Sequence, residues 1–200
     1  SFIFKEFFER TLDIKRYESR SSNSFIDNSN RENYLFNSSI SGIEQSDLIL
    51  LIGTNPRYEA TMVNARIRKA YLNNNIEVIS LNDVGDLTYP YEHLDGKTQT
   101  IKDIFENNSE LSKKIINSQK PMIVLGESFL KLKSASYLFY SLKKFLKNNN
   151  KFTNEWNSLN LLSTDAATVG NFDLDIVNEN ENLINDLKLN KFELIYLLGQ

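Results

Sequence analysis

Residues 47–72, DLILLIGTNPRYEATMVNARIRKAYL, hold the sharpest change of hydrophobic period in the chain and narrow its possible folds more than any other stretch. Leu48 to Ile52 form an unbroken apolar run, the pattern of a strand covered on both faces in a parallel sheet. Gly53 ends it. Asn55 has the side chain of a helix N-cap, and Pro56 suits the first helical position, where a missing N–H costs nothing. Glu59 then falls near the positive end of the helix dipole. Beyond it Val63, Ile67 and Ala70 or Tyr71 share one stripe, with Asn64, Arg66, Arg68 and Lys69 around it, until Asn73, Asn74 and Asn75 stop the helix. This is a strand–turn–helix unit, and it needs a sheet to join.

The remaining chain supplies candidates for that sheet. Ile76 to Leu81, rich in β-branched residues, predicts a second strand, parallel to the first because a helix connects them. Asn82 to Gly96 reads as a loop, and Ile101–Phe105 with Leu111–Ile116 as a helix pair or one broken helix. The segment PMIVLGE predicts a third strand closed by Gly126, followed by a helix over Ser128–Leu146. That helix carries Leu130, Tyr137, Leu138, Ser141, Leu142 and Phe145 at helical spacing and leaves a basic side of Lys131, Lys133, Lys143, Lys144 and Lys147, read first as a solvated face and second as a surface for an acidic neighbouring subunit. The closing FELIYLLGQ reads as a fourth buried strand over Leu194–Leu198, before Gly199. Gly53, Gly126 and Gly199 recur about 73 residues apart, where glycines would let the chain turn tightly at strand ends. Residues 2–9 predict a short helix packing Ile3, Phe4, Phe7 and Phe8 into a core, and residues 16–33 an exposed polar loop. The expectation is an α/β, Rossmann-like domain over residues 1–200, its mostly parallel sheet covered by helices on both faces.

Composition excludes several functions. With no cysteine the chain offers neither a disulfide nor the thiolates that iron–sulfur clusters normally require. The single histidine, His93, has no second His or Cys near it, so a hydrogen-bonding loop residue is the simpler reading than a proton carrier or metal ligand. No catalytic, cofactor-binding or metal-binding residue is therefore assigned. A net charge of −3 leaves no footprint for nucleic acid. No apolar run reaches the roughly 20 residues that span a bilayer, which sets the expectation of a soluble chain. A start at Ser1 and an abrupt apolar end suggest a fragment or one part of a split subunit.

The run Gly53-Thr54-Asn55-Pro56-Arg57, then Glu59-Ala60 and Asn64-Ala65-Arg66-Ile67-Arg68-Lys69, resembles the molybdopterin-oxidoreductase-like, C-terminal region of the large iron–sulfur subunit of respiratory complex I, the NADH:ubiquinone oxidoreductase. The approach RENYLFNSSISGIEQSD, with Ser41–Ser46 as a connection, is similar to the same family, as are DLTYPYEHLDG and TNEWNSLNLLSTDAATVGNFDLD. In the last, the resemblance implies a Trp-containing helix with Trp156, Leu159, Leu162 and Ala166 facing the core. Relatives usually place a Gly-Tyr turn after the Asp-Leu pair, whereas here Asp173-Leu174-Asp175-Ile176 runs into an Asn/Glu-rich segment.

What the resemblance implies is a structural, subunit-interaction domain of the peripheral arm, in the NADH dehydrogenase module on the matrix side of the mitochondrial inner membrane. Its partners would be other peripheral-arm subunits, including the iron–sulfur half of the same subunit. Clusters would sit there and not in this chain, which would be a non-catalytic part of a proton-translocating oxidoreductase. A second reading is a cofactor- or nucleotide-binding domain of a molybdopterin-type oxidoreductase, with the Gly53–Arg57 turn cradling a phosphate at the helix N-terminus. A third, a free-standing nucleotide- or sugar-binding protein, needs an acid at the end of the second strand, near Asn82 and Asp83.

Overall fold

The computed structural model describes residues 2–19, 24–177, 186–189 and 191–197. Two compact units make up the chain: Asn23–Ala166, and Ser1–Ser22 with Ala167–Gln200.

The larger unit is built on a parallel five-stranded sheet. Its strands are β1 (Leu48–Ile52), β2 (Glu77–Ser80), β3 (Glu92–His93), β4 (Pro121–Leu125) and β5 (Leu159–Leu161), in the order β3-β2-β1-β4-β5. Every residue of β1 and β4 is buried, as their unbroken apolar runs require. Ile49, Leu51, Val78, Met122 and Val124 share one core with Val63, Ile67 and Ala70 of α3 (Thr61–Asn74). The alternate positions Leu48, Leu50, Ile52, Ile79, Ile123 and Leu125 are equally enclosed. Buried stripes matching them lie on α4 (Thr98–Phe105), α5 (Glu110–Asn117) and α7 (Ala135–Asn148). At the other end of β1 the Asp47 carboxylate accepts from the Ser118 hydroxyl and from the backbone N–H groups of Gln119 (2.6 Å) and Lys120 (3.0 Å). This single side chain ties the entrance of β1 to that of β4.

Several expectations change. The helix after Gly53 is two, α2 (Pro56–Glu59) and α3, because Ala60 leaves helical dihedrals at φ −152°, ψ 72°. No Gly or Pro marks that break. The Ser128–Leu146 helix is likewise α6 (Glu127–Leu130) and α7, joined by a turn over residues 131–134. Loop 82–96 contains β3, a two-residue exposed edge strand too short and polar to show a pattern. The Trp-containing helix is replaced by β5. Trp156, Leu159 and Leu162 are buried as expected, but Ala166 is exposed. The buried Asn160 in the middle of β5, bonded to Ser38, interrupts the apolar run that would have announced a strand. The polar segment before residue 33 is not exposed throughout, since Ser24, Asp27 and Asn33 are buried and Asn33 donates to Asp27 (2.9 Å).

The smaller unit contains α1 (Phe2–Leu12) and α8 (Thr168–Asp173). None of the α1 residues is buried, so the predicted core face of Ile3, Phe4, Phe7 and Phe8 does not form as expected; Phe4 and Phe8 meet Tyr196 instead. The predicted final strand is also corrected: Leu194–Leu197 lie exposed outside any strand, while Leu198 and Gly199 fall outside the described residues. An apolar run does not name its own neighbour, and pairing must come from elsewhere. No helix among the described residues is long and apolar enough to cross a membrane.

Candidate functional site

The strand order reverses between β1 and β4, and doubly wound folds bind ligands at the carboxyl ends of strands flanking such a point. Gly53 and Gly126 stand there. Gly53 has φ +64°, a left-handed conformation that side chains rarely adopt. A Cβ on Gly53 would lie 2.4 Å from the Phe129 nitrogen, and one on Gly126 would lie 2.4 Å from both the Gly53 oxygen and the Thr54 Cβ. Gly126 N donates to Ile52 O (2.9 Å) and Ser128 N to Gly53 O (3.2 Å). The crevice is thus closed by the chain's own backbone.

The turn that follows is satisfied from within. The Asn55 side chain caps α2, its Oδ1 accepting from Arg57 N at 3.1 Å, and Pro56 takes the first helical position. Glu59 folds back over the cap. Its carboxylate accepts from Asn55 N (3.1 Å) and from the Thr54 hydroxyl (2.7 Å). A negative group therefore already occupies the place where a helix N-terminus would draw a phosphate. Arg57 is committed as well, since its Nη1 donates to both the backbone oxygen and the carboxylate of Asp86, each at 2.6 Å. The Thr88 N–H, and after it Arg57, hold the Asp86 carboxyl below the usual carboxylate range.

Three bonds pin the 83–89 loop to this region. Asn55 Nδ2 donates to Val84 O (2.8 Å), Arg57 reaches Asp86, and Asn64 Nδ2 donates to Leu87 O (3.1 Å). Asn64, expected beside the helix stripe, is buried and also accepts from the Tyr89 hydroxyl at 2.8 Å. Burial, and then Tyr91, push the Tyr89 phenol well above its ordinary range.

The other sequence candidates lie apart from the turn or are engaged elsewhere. Asp83 accepts from Gly85 N (2.9 Å) and the Tyr91 hydroxyl (3.2 Å), which hold its carboxyl low and tie it into its own turn. Asn82 is exposed, with its backbone oxygen taken by Ser80. His93 sits exposed on β3, two strands from β1 across the sheet. Of the lysine face, Lys131 pairs with Glu127 (2.8 Å) and Lys143 donates to Asn33 (2.6 Å). Among the described residues no group of three or more His, Asp or Glu is placed to hold a metal. Sequence reasoning missed the double role of Glu59. The available signal was a Thr-Asn-Pro turn with a carboxylate four residues after the cap, a variant of the capping box.

A pterin nucleotide or other phosphate-bearing group does not fit this turn, because it would meet the Glu59 carboxylate in a crevice that backbone already fills. The sequence model of the molybdopterin oxidoreductase family matches residues 2–200. The 75 kDa subunit of NADH-ubiquinone oxidoreductase from Reclinomonas americana is 39% identical over 171 residues, 84% of this chain and 25% of that protein. The mitochondrial NADH dehydrogenase (ubiquinone) iron-sulfur protein 1 of Solanum tuberosum is 37% identical over 169 residues, 84% of this chain and 22% of its own length. The mitochondrial 78 kDa subunit of NADH-ubiquinone oxidoreductase from Neurospora crassa is 39% identical over 146 residues, 72% of this chain and 19% of its own. The chain thus spans a quarter or less of each of these relatives.

Proposed function

Because the chain belongs to the molybdopterin oxidoreductase family, with a ligand crevice sealed by its own backbone, we propose that it is a structural and subunit-interaction domain of mitochondrial respiratory complex I. It works in the NADH dehydrogenase module of the peripheral arm, on the matrix side of the inner membrane, and carries no redox centre of its own. Its partners are the other peripheral-arm subunits, including the part of the large subunit that holds the iron–sulfur clusters. The names and identities of the relatives support this placement.

The observation that favours a structural role over a cofactor-binding one is the Glu59 carboxylate seated on the Asn55 N–H. The turn spends its donors on its own fold. Two measurements test the proposal. In native electrophoresis of respiratory membranes, mass spectrometry should find this polypeptide in the complex I band, and recovery only as a free monomer would refute the assignment. In thermal melts of the purified chain, phosphate, ADP and a pterin nucleotide should leave the midpoint unchanged. A ligand-dependent rise that disappears in Arg57→Ala would favour the cofactor-binding reading.

A further inference from the structure

α3 has a second face. Its core stripe of Val63, Ile67 and Ala70 is buried, yet the opposite side carries Met62, Ala65, Lys69 and Leu72, and Tyr58 of the separate helix α2, before the break at Ala60, is exposed as well. Within α3 the intervals Met62–Ala65–Lys69–Leu72 are 3, 4 and 3, which set these side chains on one helix face. Tyr58 is 79% exposed, Met62 67% and Leu72 68%. Tyr58, Met62, Ala65 and Leu72 leave apolar surface exposed here, interrupted by Lys69, and such a patch on a domain surface marks a place where another surface sits. Between α3 and the 83–89 loop runs a groove of about 370 Å³, lined among others by Thr61, Ala65, Arg68, Leu72 and Thr88.

Charge identifies what fits. Arg66 and Lys69 share one carboxylate, that of Glu44, and Arg68 forms no ion pair among the described residues. On the exposed side of α3 three cations thus stand against one anion. A second copy of the chain docked by the same face would set these cations against each other, which argues against self-association. We propose that the outer face of α2 and α3 is a docking site for an amphipathic helix of a neighbouring complex I subunit. That helix has apolar side chains at three- and four-residue intervals and Asp or Glu beside them. Its apolar ridge would pack along Tyr58, Met62, Ala65 and Leu72, with one side chain entering the groove, and its carboxylates would meet Arg68 and Lys69. This inference rests on the complex I reading and names a surface for it.

The test uses the assembled complex. With Met62 replaced by the photoreactive p-benzoylphenylalanine, illumination should give an adduct to another complex I subunit. The adduct peptide should carry the three- and four-residue apolar spacing flanked by acids. Arg68→Glu combined with Leu72→Glu should lower the chain's share in the complex I band about tenfold, the loss of one well-packed contact. The melting point of the isolated variant should stay that of the wild type, because both positions are exposed. No adduct, an adduct to lipid or to a second copy of the chain, or undiminished assembly of the double variant would overturn the proposal. If wild-type chain co-migrates while the variant assembles equally well, only the docking site fails. If wild-type chain does not co-migrate, the complex I reading fails and the docking site with it.

Discussion

At the residue scale, Glu59 does for the β1 turn what a bound anion does at other helix N-termini. Its carboxylate satisfies the Asn55 N–H and the Thr54 hydroxyl. Glu59→Ala should remove both acceptors and empty the seat, so sulfate or phosphate should raise the melting point of this variant while leaving the wild type unmoved; equal responses would show that the carboxylate does not block the site. Asn55→Ala should cost about 1 kcal/mol, the usual loss for a cap. Gly53→Ala should be worse, about 2–4 kcal/mol in chemical denaturation, combining a left-handed residue with a Cβ driven into the Phe129 backbone. Asp47 makes the pH-dependent contribution. Burial raises its carboxyl, but the Ser118 hydroxyl and the Gln119 and Lys120 N–H groups outweigh that and hold it below its ordinary value. The folded state therefore gains stability from Asp47 above the unfolded value of about 3.9, and loses it as pH falls through the lower folded value. Asp47→Asn should flatten the acid limb of the stability curve, and a variant that keeps the wild-type slope would refute the assignment.

At the scale of elements, β1 with its turn was legible in sequence because several signals agreed over ten residues: an apolar run, a glycine, a cap and an N1 proline. β2 and β4 were legible from their apolar runs, with Gly126 closing the second, and their parallel direction followed from the connecting helices. β3 and β5 were not. The first has only two exposed residues, and the second places Asn160 where an apolar residue would have announced it. The site was readable to the same depth. Asn55 was expected to cap and does, but its second partner Val84 and the Asp86 partner of Arg57 each lie 29 residues away and no local pattern reports them. The clamp at Asn64 shows how that distance is bridged. Asn64→Ala would leave the Leu87 carbonyl and the Tyr89 hydroxyl enclosed without partners, at a cost of about 2 kcal/mol, whereas Tyr89→Phe should cost about 1 kcal/mol. If one network holds loop to helix, the double variant should lose less than the sum of the two. Strict additivity in urea denaturation would mean that the two bonds act independently.

At the scale of the whole molecule, the larger unit encloses the features on which cooperative folding depends. All five strands, both strand-end glycines, the Asp47 tie and the three-point clamp lie between residues 23 and 166. Trp156, the one tryptophan of the chain, lies there too, 7% exposed and donating from Nε1 to the Pro121 carbonyl at 2.9 Å. It stands where β4 enters the sheet, so it leaves its apolar surroundings only when that strand does. α1, by contrast, buries none of its residues, and Leu194–Leu197 remain exposed. A polypeptide of residues 23–166 should therefore fold alone. Its tryptophan emission should be blue-shifted as in the full chain, and it should unfold in one transition with a midpoint within about 5 °C of the fluorescence midpoint of the full chain. Exposed-tryptophan emission from this polypeptide at low temperature would show that the sheet cannot form without the remaining residues, and the division into two units would then describe geometry but not folding.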